Sequence, residues 1–183
     1  MPDVCPWWAG YLIASPIRKL VQHPAKILSP YVKAGMTVVE PGPAMGFFTL
    51  ELARLVGPSG RVVAVDIQER MLASLRRRAR RAGLAERIET RVVQPGSLGL
   101  DDLAGAADFA LAFAMVHEFR DDDRFFAQVA SALGPGGTVL LAEPAGHVGG
   151  ERWKAQLDSA ARAGLTPVER PRIWHSQAAL LRK

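Results

Sequence analysis

Two carboxylates stand at the ends of apolar runs: Glu40 closes "MTVVE" and Asp66 closes "RVVAVD". Between them lies "PGPAMGFF", in which Gly42, Ala44 and Gly46 are spaced two apart. Small residues let a backbone turn tightly and let a ligand come close to it. Asp66 falls twenty residues after Gly46, where a strand-end acid can accept hydrogen bonds from both hydroxyls of a ribose. A second group could move protons. His117 and Glu118 sit in "MVHEF", and Glu143 and His147 in "EPAGH". Histidine titrates near neutrality, so His117 is a candidate general base, with Glu118 beside it. Capping of the following loop is the plainer alternative for this pair. Glu143 and His147 are candidates for lining the site of a second reactant.

These residues need a scaffold, and the hydrophobic pattern supplies one. Strands are expected at 36–40, 61–66, 87–93, 108–115 and 138–143, with helices at 47–57, 68–83, 121–134 and 151–164. Segments 166–170 and 175–183 read as two closing strands without a helix between them. The pattern predicts an α/β fold, a doubly wound, mostly parallel seven-stranded sheet of Rossmann-like form with an antiparallel last strand. In such sheets ligands bind beyond the carboxyl ends of the strands, where the glycine turn and both acids fall.

The chain has 183 residues, 49% of them hydrophobic, and a formal net charge of +5. No apolar run reaches the ~20 residues that a bilayer requires, and the N-terminus lacks a basic leader. A cytoplasmic setting is therefore expected. Cys5 is the sole cysteine, so neither a disulfide nor a cysteine-rich metal cluster is expected, and no metal site is assigned. Arg76, Arg77, Arg78, Arg80 and Arg81 spread over one broad face of the helix at 68–83, opposite Met71, Leu72, Leu75, Ala79 and Ala82. A solvated face is the simple reading. A basic patch for RNA is the sharper one, although no aromatic residues interleave with the arginines.

The turn argues against a dinucleotide. The third glycine of G-x-G-x-x-G is replaced here, and the side chain that follows Gly46 is the bulky Phe47. Glu40 would repel a pyrophosphate but would suit a ligand carrying an amino group. S-adenosylmethionine has such a group, a sulfonium and a ribose, and no phosphate.

"VVEPGPAMG", "VVAVDIQERML", "FAMVHEF" and "LGPGGTVLLAEP" occur in that order. Together they resemble the class I S-adenosylmethionine-dependent methyltransferases of the small seven-stranded group, over roughly residues 25 to 183. The resemblance implies a methyltransferase domain at 35–183, preceded by an N-terminal helical segment or lid at 1–34. It implies that Glu40, Gly42, Pro43, Ala44, Gly46 and Phe47 surround the methionine part of the cofactor. Asp66 would hold the ribose, with Ile67 and Gln68 beside the adenine. The loop after strand three usually offers an acid to the adenine; here Gln94, Gly96 or Ser97 must take its place. Ala114 and Met115 would face the methyl group.

Trp7, Trp8 and Tyr11 are expected to form part of a lid over the acceptor, with packing on the sheet or a homodimer contact as the alternatives. Without an N/D-P-P-Y/F segment after strand four, adenine or amide nitrogen is a disfavoured acceptor. The leading expectation is a small-molecule acceptor. An RNA or protein acceptor reached through the arginine helix, or a cofactor-binding module without catalysis, remains open.

Overall fold

The computed structural model of the protein describes residues 22–183. The element order is α1 (Pro24–Leu28), β1 (Thr37–Pro41), α2 (Thr49–Leu55), β2 (Arg61–Asp66), α3 (Glu69–Arg81), β3 (Ile88–Val92), β4 (Ala107–Phe113), α4 (Asp122–Ala132), β5 (Leu133–Pro144), α5 (Gly150–Arg162), β6 (Thr166–Glu169) and β7 (Ser176–Arg182). The seven strands lie in the order β3-β2-β1-β4-β5-β7-β6. β1 runs parallel to both β2 and β4, β2 to β3, and β4 to β5. β7 is antiparallel to β5 on one side and to β6 on the other. The last strand thus inserts between β5 and β6, which leaves the short, exposed β6 at the edge.

Strand periodicity decides which helix covers which face. Val38, Val62, Phe109, Leu111 and Leu140 point to one side, where α1 and α2 contribute Leu28 and Leu52, joined by Val56 at the C-cap of α2. Ala64 on the same side packs against Leu72 and Leu75 of α3. Val39, Val63, Ala110, Val139 and Leu141 point to the other side, against Phe125 and Phe126 of α4 and Trp153 and Ala160 of α5. Both faces are buried, which is why these strands read as continuous apolar runs.

Three local expectations need correction. β5 begins at Leu133 rather than 138, because "LGPGG" belongs to the strand through a register break that pairs Ala107 with Leu133 and Phe109 with Thr138. α2 is two residues shorter at each end than expected, since Phe47 and Phe48 turn into the core ahead of its first residue. Ala82 is exposed, because α3 ends at Arg81 and Ala82 forms its C-cap; Ser74 is buried instead. Asp121 caps α4 by accepting the Arg124 N–H at 2.9 Å, and Asp122 and Asp123 stand in its first, positive turn.

Among the described residues, no helix is long and apolar enough to cross a membrane. Cys5, Trp7, Trp8 and Tyr11, and the lid expected of them, lie outside the described residues.

Candidate functional site

Parallel β1, β2, β4 and β5 end on the same edge of the sheet, and their last residues build the site. Glu40, one residue from the end of β1, is 3% exposed, and its Oε2 has no hydrogen-bond partner. At the first residue of α2, the fully buried Thr49 hydroxyl is also unpartnered. Burial pushes the Glu40 carboxyl up to about 8. A buried carboxyl without a donor is costly unless a ligand supplies one. A positive amino group is the donor that gains most from this position.

The turn that follows is fixed by backbone contacts. Gly42 N–H donates to Val65 O at 2.9 Å and ties β1 to β2. A Cβ on Gly42 would lie 3.1 Å from Met115 Cβ, so the turn and the end of β4 are in close contact. Gly46 N–H closes the turn on Pro43 O at 2.9 Å. Ala44 holds a left-handed φ of 48°, a conformation that costs a non-glycine residue about 1–2 kcal/mol. Gly46 serves packing as well as approach. With φ at +85°, an added Cβ would lie 2.4 Å from Cδ1 of the fully buried Leu75 on α3. Gly46→Ala should therefore lower stability by about 2–4 kcal/mol, the sum of left-handed strain and overpacking, as read by urea unfolding. A loss below about 1 kcal/mol would mean that the turn yields freely. The Phe47 ring is buried in the core and set edge-on to Phe48 with centroids 5.0 Å apart.

At the end of β2, Asp66 Oδ1 accepts the Gln68 N–H at 2.8 Å. Burial raises the Asp66 carboxyl to about 6; the Gln68 N–H opposes the rise and the charge of Glu118 adds to it. Ile67 is 39% exposed, and Val92, paired in register with Asp66 on β3, is 54% exposed. Both stand at the ends of neighbouring strands. In the next loop Ser97 N–H turns back to Gln94 O at 3.0 Å, and Gly96 O accepts from Gln128 Nε2 at 3.2 Å. The Ser97 hydroxyl is engaged by the Gly99 N–H at 3.2 Å.

The ends of β4 and β5 assemble a histidine–carboxylate group. Ala114 takes a left-handed φ of 53°, and its N–H is pinned to Ala142 O at 2.7 Å. The chain then turns through a short 3₁₀ segment, Val116–Glu118. Glu143, fully buried near the end of β5, accepts from Val116 N–H at 2.8 Å and His117 N–H at 3.3 Å through Oε1. Its Oε2 lies 2.5 Å from His117 Nδ1. This hydrogen bond raises the His117 imidazole above its ordinary value; burial opposes it, and the charges of Glu143 and Glu118 add to the rise. With Nδ1–H given to Glu143, Nε2 is left as the basic nitrogen. The His147 ring stands edge-on to His117 with centroids 4.7 Å apart.

The structure thus brings together His117, Glu143 and His147, and joins Glu118 electrostatically to both His117 and Asp66. Glu143, expected at the acceptor rim, is enclosed and bonded to His117. Sequence reasoning missed Thr49, Val92 and Arg78, whose Nη1 donates to Met45 O at 2.5 Å. The only signal for Glu143 as a partner of His117 was its resemblance to Glu40: an acid closing a buried strand.

Comparison with known proteins fits this geometry. A family model described as a methyltransferase domain matches residues 38–137. The chain is 36% identical over 106 residues to a catechol O-methyltransferase of Mycobacterium tuberculosis, covering 58% of this chain and 46% of that protein. It is 30% identical over 112 residues to a ubiquinone/menaquinone biosynthesis C-methyltransferase of Pasteurella multocida, covering 61% and 41%. These matches span less than half the length of the two relatives. Its fold is that of a S-adenosylmethionine-dependent methyltransferase from Aquifex aeolicus, with a TM-score of 0.86 at 20% identity over 98% of this chain and 99% of that one. A geranyl diphosphate C-methyltransferase from Streptomyces coelicolor, solved with S-adenosyl-L-homocysteine, superposes with a TM-score of 0.71 at 16% identity over 100% and 85%. With more than half its length matched by the family model, the chain belongs to the S-adenosylmethionine-dependent methyltransferase-domain family.

Proposed function

We propose that the protein transfers a methyl group from S-adenosylmethionine to a small-molecule acceptor whose nucleophile carries a proton, with His117 as general base. The observation that carries this reading is the 2.5 Å contact between His117 Nδ1 and the enclosed Glu143 carboxylate. It fixes the imidazole tautomer and leaves Nε2 to take a proton.

The donor set suits this cofactor. Glu40, unpartnered at Oε2, and Thr49 would receive the ammonium, over the backbone of Gly42, Pro43, Ala44 and Gly46. Asp66 would accept from the ribose, with Ile67, Val92 and Gln68 beside the base and Gly96 and Ser97 at its rim. Ala114 and Met115 would border the methyl side. When bound, S-adenosylmethionine supplies a methyl group made electrophilic by its positive sulfur. The protein's own work is to hold the acceptor in line and keep water out. His117 Nε2 would take the acceptor's proton as the acceptor's lone pair displaces the sulfur from the methyl carbon, the broken bond's electrons leaving with S-adenosylhomocysteine. Glu143 stabilises the imidazolium that results. Glu118 and His147 flank that position.

The reading is tested by incubating the protein with S-adenosylmethionine and phenol, carboxylate and amine acceptors, alongside tRNA and a protein mixture, and measuring S-adenosylhomocysteine. Product with a small acceptor supports it. Product with RNA alone, or cofactor binding without turnover on any acceptor, overturns it. RNA is the weaker acceptor because three of the five clustered arginines are engaged within the chain. Asp66→Ala should weaken cofactor binding by about 1–3 kcal/mol. Unchanged affinity by calorimetry would remove the ribose contact.

A further inference from the structure

The arginine-rich helix has a use inside the molecule. Arg76 bonds to Thr90 Oγ1 at 3.0 Å and pairs with Glu69, and Arg77 bonds to Ser74 Oγ at 2.9 Å. Arg80 and Arg81 are exposed. Arg78 alone among the five reaches across to the glycine turn, where its Nη1 donates to Met45 O at 2.5 Å. It is half-buried, and burial holds its guanidinium below the ordinary arginine value.

Arg78 does not act alone. Leu75, three residues earlier on the same face of α3, fills the space opposite Gly46. The helix therefore grips two consecutive residues of the turn: an apolar contact at Gly46 and a charge-assisted hydrogen bond at Met45. The gripped turn is strained at Ala44 and closed by only one internal hydrogen bond, Gly46 N–H to Pro43 O. A left-handed alanine persists only where its surroundings over-determine it. Met45 itself is 2% exposed, so its carbonyl has little water to turn to if the guanidinium is removed.

We propose that Arg78 is a positioning residue for the cofactor: it clamps the Met45 carbonyl and so holds residues 42–46 in the shape that receives the methionine end. The inference rests on the assignment of that turn to S-adenosylmethionine. Arg78 touches no reacting atom. Its loss frees the turn to sample other conformations, and binding must then select the competent one, which weakens apparent affinity in proportion to its population.

The test compares Arg78→Ala, Arg78→Lys and the control Arg80→Ala by three readouts: the Kd for S-adenosylhomocysteine, amide exchange across 42–48, and kcat at saturating cofactor. Arg78→Ala should raise Kd about tenfold or more, speed exchange in the turn, and leave saturated kcat within about threefold. Lysine should recover part of the affinity, and Arg80→Ala should change none of the three. Unaltered exchange across 42–48 in Arg78→Ala would overturn the clamp. Faster exchange with unchanged Kd would overturn its role in cofactor binding. A wild-type protein that binds neither S-adenosylmethionine nor S-adenosylhomocysteine would instead defeat the functional assignment, while the exchange measurement would still decide the clamp.

Discussion

His117→Ala should lower kcat by about 10²–10⁴-fold, while the Kd for cofactor stays within about twofold of wild type. The geometry explains the separation. His117 is held at the end of β4 by Glu143, whereas Glu40, Thr49 and Asp66 lie around the ends of β1 and β2. Glu143→Gln is the more telling variant. Its amide oxygen can keep accepting from Val116 and His117 N–H, the contacts now made by Oε1. The amide NH₂ would then face His117 Nδ1 and force it to accept. The proton moves to Nε2, and the base is lost with the fold intact. About a 10–10³-fold loss of kcat is expected, with little change in unfolding midpoint.

The same pair fixes a pH profile. His117 must be neutral to take a proton, so kcat rises with pH through the imidazole's pKa. That limb should lie above the ordinary histidine value of about 6.5, because the hydrogen bond to Glu143 raises the group. In Glu143→Gln the limb should move down. The stability sign is the reverse: a raised imidazole stabilises the fold at low pH and loses that contribution as pH climbs through its folded pKa. A wild-type rate independent of pH from 5 to 9, together with an unimpaired alanine variant, would remove His117 from the mechanism.

The second large effect belongs to Glu40. Burial holds its carboxyl at about 8, so at neutral pH it is protonated when the turn is empty. An ammonium beside it favours the ionised form, so binding expels a proton. Cofactor affinity should therefore rise with pH by up to about tenfold per unit below 8 and level off above it. Calorimetry at pH 7 in two buffers of different ionisation enthalpy should show close to one proton released. Glu40→Gln should bind at least about tenfold more weakly and lose the pH dependence. Without cofactor, that variant should be more stable than wild type at pH 8. The folded pKa is raised above the unfolded one, so wild type loses stability as pH climbs from about 4.5 to 8. Equal proton release from both proteins would exclude Glu40 as the ammonium's partner.

Much of the scaffold is written in local pattern. Val62 to Val65 are continuous and apolar because both faces of the sheet are covered, and that run gave β2 its correct bounds, Arg61–Asp66. The turn at 42–46 and the acids at 40 and 66 were legible because small residues and strand-end carboxylates have few other uses together. Where backbone geometry overrides composition, the pattern failed. "LGPGG" looks like a turn, yet it is carried into β5 by pairing with a neighbour that the sequence does not name.

Sequence alone therefore determined the alternation of strand and helix, the family, and which strand ends carry acids, because periodicity and spacing are properties of the chain itself. Only the tertiary structure decided that Glu143 belongs to His117, that Arg78 holds Met45, and that β7 lies between β5 and β6. The two side-chain contacts join residues 26 and 33 positions apart, and β7 meets β5 across 32 or more. Their partners are chosen by packing across the sheet, which no local pattern encodes.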